Sequence, residues 1–273
     1  MGTYAITGAA SGLGAATKAR LEADGHRVIG VDLRGSDVDA DLSTADGRAE
    51  AIARVTELSG GSLDGFAPFA GLAAATGRPG SLMVSVNYFG AIEVLEGLRP
   101  LLIQAAADGG KPAVVLVSSN STTCQPNWPV ELAELCLSGD EAAAREAADK
   151  DPLGCYPAAK AALAYYVRTQ GIGEEWLGRG VRVNAIAPGL IETPMTAAGK
   201  VDPLTAEGMK MFPLPIGRGG RPEEIAALTA FLLGPESTFF AGSVVFCDGG
   251  TDALLRAKDW PAVWELDMSA FGG

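Results

Sequence analysis

Tyr156 and Lys160 stand four positions apart in Tyr156-Pro157-Ala158-Ala159-Lys160. On a helix that spacing puts both side chains on one face, roughly 6 Å apart along the axis. An ammonium at that range favours phenolate over phenol, so the tyrosine can exchange a proton near neutral pH. The ordinary pKa of tyrosine is about 10, and lowering it by about 3 units takes about 4 kcal/mol of differential stabilisation. Far upstream lies Thr7-Gly8-Ala9-Ala10-Ser11-Gly12-Leu13-Gly14. Glycines there let a backbone approach a pyrophosphate, and a helix N-terminus favours the anion. A lysine and the positive charge of an oxidised nicotinamide could together lower the tyrosine pKa. The two motifs therefore predict a general acid/base beside a dinucleotide.

Other residue types narrow the chemistry. Asp32 closes Val28-Ile29-Gly30-Val31-Asp32, where a carboxylate can bond the adenosine ribose and repel a 2′-phosphate. With Ser11 rather than a base before Gly12, Asp32 predicts NAD(H) over NADP(H), against the counter-indication of Arg34 just past the strand. His26 is the lone histidine and reads as a surface residue in a helix-to-strand turn, so no His-based metal cluster or Ser-His-Asp triad is expected. Cys124, Cys136, Cys155 and Cys247 form no Cys-x-x-Cys pair and read as reduced thiols of a cytoplasmic protein.

Thr7-Gly8-x-x-x-Gly12-x-Gly14, Tyr156-x-x-x-Lys160 and Asn184-x-x-x-Pro188-Gly189, in this order, resemble the short-chain dehydrogenase/reductase family over essentially the whole chain. The resemblance implies a single-domain α/β Rossmann-type fold, a doubly wound parallel sheet with helices on both faces. It implies an NAD(H)-dependent oxidoreductase acting between a secondary alcohol and a ketone. Tyr156 would pass the proton, and Lys160 would lower its pKa and hold the nicotinamide ribose. Ser119, in Val117-Ser118-Ser119, would orient the carbonyl, with Ser118 as the fallback register. Asn87 would hold a water of the proton relay, or bend its helix by bonding backbone. Gly8, Ser11, Gly12, Leu13, Gly14, Pro188 and Gly189 would contact the cofactor, as would Asp41-Leu42 at the adenine and Ile191 and Thr193 at the carboxamide. Where the family usually shows Asn-Asn-Ala-Gly, this chain has Pro68-Phe69-Ala70-Gly71, so Ala70 and Gly71 keep the approach without the bracing amides.

A longer interval than usual separates Ser119 from Tyr156. The extra segment, about 126–151, carries Trp128, Leu132, Leu135 and Glu141-Ala-Ala-Ala-Arg145-Glu146. With Asp24-Gly25-His26, Ala40-Asp41-Leu42-Ser43-Thr44-Ala45 and Val84-Ser85-Val86-Asn87-Tyr88-Phe89-Gly90-Ala91 it resembles the bacterial 3α-hydroxysteroid dehydrogenase/carbonyl reductase branch. A bulky apolar, steroid-like substrate is then expected, bordered by this insertion and by the loop at about 190–216. That loop bears Met195, Leu204, Met209, Met211, Phe212 and Leu214. Sealing of the core or of a subunit interface is the other reading of these side chains. A non-catalytic dinucleotide sensor or scaffold is the other reading of the whole chain.

These residues need elements to hold them. Strands are expected at 4–7, 28–31, 38–40, 63–69, 113–118, 181–186 and 243–246, and helices at 13–23, 45–58, 82–104, 156–176 and 222–233. Such alternation predicts a parallel sheet wrapped by helices, without repeat or linker to divide it. The 273 residues, 48% hydrophobic and 20% charged, suit one soluble domain. A net charge of −12 argues against nucleic acid or an anionic membrane as partner. No basic leader or membrane-length apolar run is visible, and the myristoylation pattern fails. The family resemblance implies a homodimer packed across the helices at 82–104 and 156–176, or a homotetramer if the insertion leaves that surface open.

Overall fold

Residues 1–259 and 263 are described by a computed structural model. Seven strands, all parallel, are ordered β3-β2-β1-β4-β5-β6-β7: β1 Thr3–Thr7, β2 Arg27–Asp32, β3 Val38–Asp39, β4 Gly65–Pro68, β5 Ala113–Val117, β6 Arg182–Pro188 and β7 Val244–Cys247. The order reverses between β1 and β4, so a crevice opens there at the carboxyl ends of the strands. Alternation along each strand divides two cores. Ala5, Val114 and Leu116 face one, and Ile6, Val115 and Val117 face the other.

Helices α1 (Gly12–Ala23) and α2 (Ala45–Ser59) follow β1 and β3. After β4 come α3 (Gly80–Val84), a π turn at Ser85–Phe89, and α4 (Gly90–Ala107). The single helix expected at 82–104 is thus interrupted by one wide turn. Past β5 lie α5 (Ser121–Cys124), α6 (Val130–Ser138), α7 (Glu141–Lys150) and α8 (Cys155–Thr169). The expected helix to residue 176 stops early. Gly171 N turns back to Tyr166 O at 2.9 Å, and Trp176 is buried with its indole donating to the Tyr166 hydroxyl at 2.9 Å. The loop at 190–216 holds α9 (Pro194–Gly199) and α10 (Ala206–Met211), and α11 (Pro222–Leu233) and α12 (Thr251–Arg256) flank β7. No helix among the described residues is long and apolar enough to cross a membrane.

The insertion is α6 and α7. Helix α6 lies on α8, and α7 lies so close on α3 that a Cβ on Gly80 would fall 2.0 Å from Ala148 O. Asp149 accepts from Ser81 N at 2.7 Å, closing the start of α3. His26 corrects the surface reading. It is half-buried, its Nδ1 accepts from Gly2 N at 3.0 Å, and it stands edge-on to Tyr4 at 5.1 Å.

Candidate active site

The turn from β1 into α1 needs glycine for the fold's own reasons. Gly8 has φ +69°, and a Cβ there would meet Ala70 N at 2.6 Å. A Cβ on Gly14 would lie 2.1 Å from Gly8 O. Ser11 at the N-cap of α1 makes no side-chain cap bond, and the first turn carries no acid, so its amides are left for an anion. Asp32 stands beside this turn. Its Oδ2 accepts from Ala10 N at 2.9 Å and its Oδ1 from Leu33 N at 2.7 Å, with lone pairs left for further donors.

A cleft of about 560 Å³ runs from there across the sheet end. Gly8, Ser11, Gly12, Leu13, Gly14, Asp32, Asp41 and Leu42 line one end, and Ser119 and Tyr156 the other. Ala70 and Gly71, past β4, lie between them, and Pro188, Gly189, Ile191 and Thr193 also line the cleft. The space and its donors fit a dinucleotide. Lys160 and Asn87 stand behind the wall rather than on it: both are buried, within 3.8 and 3.2 Å of the Cβ position on Gly71.

Strand β5 ends by directing its two serines apart. Ser118 Oγ donates to Lys160 O at 2.8 Å and ties the strand to α8. Ser119 Oγ accepts from Ser121 N at 3.1 Å and lies close enough to the Tyr156 phenol to lower its pKa, both lining the cleft. The Ser119 register is therefore the one that meets the tyrosine. Lys160 Nζ donates to Val117 O at 2.8 Å and lies 5.9 Å from the Tyr156 ring centroid.

Burial dominates the electrostatics of the site without its cofactor. Burial pushes the Tyr156 phenol above its ordinary value, with the Ser119 hydroxyl pulling it down; Lys160 is not among the causes. Desolvation also brings the Lys160 amine down to about 8. Two buried groups with no counter-charge each favour their neutral form.

Asn87 is the middle residue of the π turn. Its Oδ1 accepts from Leu72 N at 2.7 Å and its Nδ2 donates to Leu72 O at 2.9 Å. Thr7 Oγ1 accepts from Ala70 N at 3.1 Å. Together they brace the strand exit that lacks the family's usual asparagines. Sequence reasoning missed Thr7 in that role, although it heads the glycine motif. It also missed Leu72, Leu82 and Val86 as cleft-lining side chains, which nothing in the composition marks. Of the apolar residues expected beside the substrate, Met195 lines the cleft. Leu132 is buried in the core, and Trp128 and Leu135 pack against it. Among the described residues no group of three or more His, Cys, Asp or Glu is placed to hold a metal.

A doubly wound parallel sheet with a glycine turn at its switch point defines a Rossmann-type nucleotide-cofactor fold. Residues 141–252 match the family described as enoyl-(acyl carrier protein) reductase. The 3-alpha-hydroxysteroid dehydrogenase/carbonyl reductase of Comamonas testosteroni is 40% identical over 260 residues, 94% of this chain and 98% of that relative. The cis-4-hydroxycyclohexanecarboxylate dehydrogenase of Sinomonas cyclohexanicum is 30% identical over 254 residues, 91% and 96% of the two. The crystal structure of the 3-alpha-hydroxysteroid dehydrogenase from Pseudomonas sp. B-0831 complexed with NADH has a TM-score of 0.88 at 45% identity, covering 94% of this chain and 99% of that one. The chain belongs to the short-chain dehydrogenase/reductase family and is an oxidoreductase of that family.

Proposed function

We propose that the protein interconverts a secondary alcohol and a ketone with NAD(H), on a bulky, largely apolar, steroid-like substrate. One observation carries this: Ser119 and Tyr156, with Lys160 behind them, meet at one end of a cleft whose other end is the glycine turn and Asp32. The bound nicotinamide supplies hydride exchange with the substrate carbon. Tyr156 gives or takes the proton at the substrate oxygen, and the Ser119 hydroxyl orients that oxygen. Because burial holds the phenol up, a positive neighbour must lower it. The reading assigns this to Lys160 and to the cationic ring of the oxidised cofactor. Lys160 also holds the nicotinamide ribose. With its amide spent on Leu72, Asn87 anchors the relay water through backbone freed by the π turn.

NAD(H) is favoured over NADP(H) because Asp32 repels a 2′-phosphate and, among the described residues, no Lys or Arg lines the cleft. The relatives named for 3-alpha-hydroxysteroids and for a cyclohexanol acid support a cyclic substrate. The loop at 190–216 serves the substrate side through Met195, whereas the insertion supports that side from behind. A cytoplasmic location fits four free cysteines, of which burial pushes Cys136 and Cys155 up to about 12. The deciding experiment is titration of NADH and NADPH by fluorescence beside NADH oxidation with a panel of ketones. Tighter NADH binding with turnover is expected. Binding without turnover of any ketone would favour the sensor reading, and equal or tighter NADPH would sink the cofactor preference.

A further inference from the structure

Away from the reacting groups, a buried ion cluster joins the insertion to the cofactor cleft. Its hub is Arg48, in the first turn of α2, with a side chain only 4% exposed. Nη2 donates to Glu141 Oε2 at 2.6 Å and Nη1 to Glu141 Oε1 at 3.3 Å, a forked pair. Nη1 also reaches Leu42 O at 3.4 Å. Glu93, at the start of α4, lies 2.6 Å from Nε but not along a hydrogen bond, and is 44% exposed. Glu141 is therefore the carboxylate aligned with this guanidinium, and it is the first residue of α7 in the insertion. The same carboxylate accepts from Ser85 Oγ at 2.7 Å, and Ser85 accepts from Arg145 Nη1 at 2.5 Å.

Both ends of this cluster adjoin walls of the cleft. Leu42 lines its adenine side. Ser85 opens the π turn that holds Asn87, which in turn grips the Leu72 backbone, and Leu72 and Val86 line the substrate side. A buried guanidinium deprived of its aligned partner is costly, and relief by rearrangement would move whatever it holds. We propose that Glu141 is a positioning residue, fixing the adenine wall through Arg48 and the Asn87 turn through Ser85. The insertion would then be a strut of the cofactor site, which rests on the NAD(H) reading given above.

The test is Glu141→Gln, which keeps the shape and removes the charge. Fluorescence titration of NADH should show affinity weakened about two- to thirtyfold, the range for residues that act without touching ligand. KM for NADH should rise with it, and KM for the ketone should rise as well, since the Asn87 turn and the Leu72–Val86 wall lose the same support. Glu146→Gln on the same helix, paired only with Lys150 at the surface, should leave NADH affinity unchanged. A folded Glu141→Gln protein with wild-type NADH affinity would overturn the proposal, even with a lowered Tm, since that outcome makes the cluster merely structural. Should Glu141→Gln not fold, Ser85→Ala removes a single hydroxyl and carries the same expectation and the same reversal. Failure of the wild type to bind NADH is a separate result, which rejects the functional reading itself and the positioning role with it.

Discussion

Lys160 sits where burial works against its own charge. Its amine is drawn from 10.5 to about 8 by desolvation. At about 1.4 kcal/mol per pKa unit, the charged form costs about 3 kcal/mol. The unfolded chain holds that proton up to the ordinary lysine value, so between about pH 8 and 10.5 the unfolded state binds more protons and stability rises with pH. Below that window the whole cost is carried. Without NADH, Lys160→Met should therefore melt above the wild type near pH 7, by less than the full amount because the Val117 carbonyl loses its donor. The gap should narrow by pH 10, while NADH binding and turnover are lost. A variant that melts lower at both pH values would show the ammonium to be a net stabiliser. Tyr156→Phe separates the other role. It should lower kcat by about 10²–10⁴, the usual worth of a positioned proton donor, with NADH affinity unchanged. Retention of most activity would remove Tyr156 from the chemistry.

At the scale of elements, the π turn does most with least. Both bonds of the Asn87 amide go to one residue, Leu72, so Asn87→Ala strips a donor and an acceptor from a half-buried backbone. Denaturant unfolding should show a loss of about 1–3 kcal/mol. The kcat should fall by about 10²-fold at most, since the proposed proton donor, Tyr156, is intact. Full stability with lowered kcat would mean that the amide serves the relay rather than the strand. Nothing in Val84-Ser85-Val86-Asn87-Tyr88-Phe89 marks this turn, because its residues suit an unbroken helix equally well. The early end of α8 could be suspected from Gly171 and Gly173, but the burial of Trp176 against Tyr166 that fixes it is a tertiary contact. By contrast the sheet was legible. Its inner strands are short apolar runs buried on both faces, and such runs between turn signals read as parallel strands. The two cleft ends were legible too, because glycines without room for a Cβ and a Tyr–Lys helix spacing are local demands. The division between Ser118 and Ser119 follows from alternation at the end of β5, whereas the Glu141–Arg48–Ser85 cluster joins residues far apart in sequence and leaves no local mark.

For the molecule as a whole, the insertion decides which surfaces are free. Helix α6 lies on α8, a helix through which a dimer was expected to pack, and α7 lies on α3. Light scattering should give a homodimer; a homotetramer would mean that α6 leaves the α8 face open, and a stable monomer would refute the expectation. Substrate choice follows from the same arrangement, since the insertion closes the core and leaves the cleft wall to Leu72, Leu82, Val86 and Met195. Among the described residues no Lys or Arg lines that wall, and Lys160 stands behind it. A carboxylate entering beside Tyr156 would lose water without gaining a partner. A ring system instead buries apolar area, and about 100 Å² of it adds about 2.5 kcal/mol, close to 10²-fold in affinity. Methionine at the loop edge adapts to varied ring shapes. The expected outcome is a kcat/KM for cyclic or steroidal ketones that exceeds that for small 2-keto acids by about this factor. Met195→Ala should erode the cyclic substrate's advantage by raising its KM. A clear preference for small keto acids would reject the apolar-wall reading, because only an additional cation brought to the cleft could explain it, while the alcohol–ketone chemistry of Tyr156 would stand.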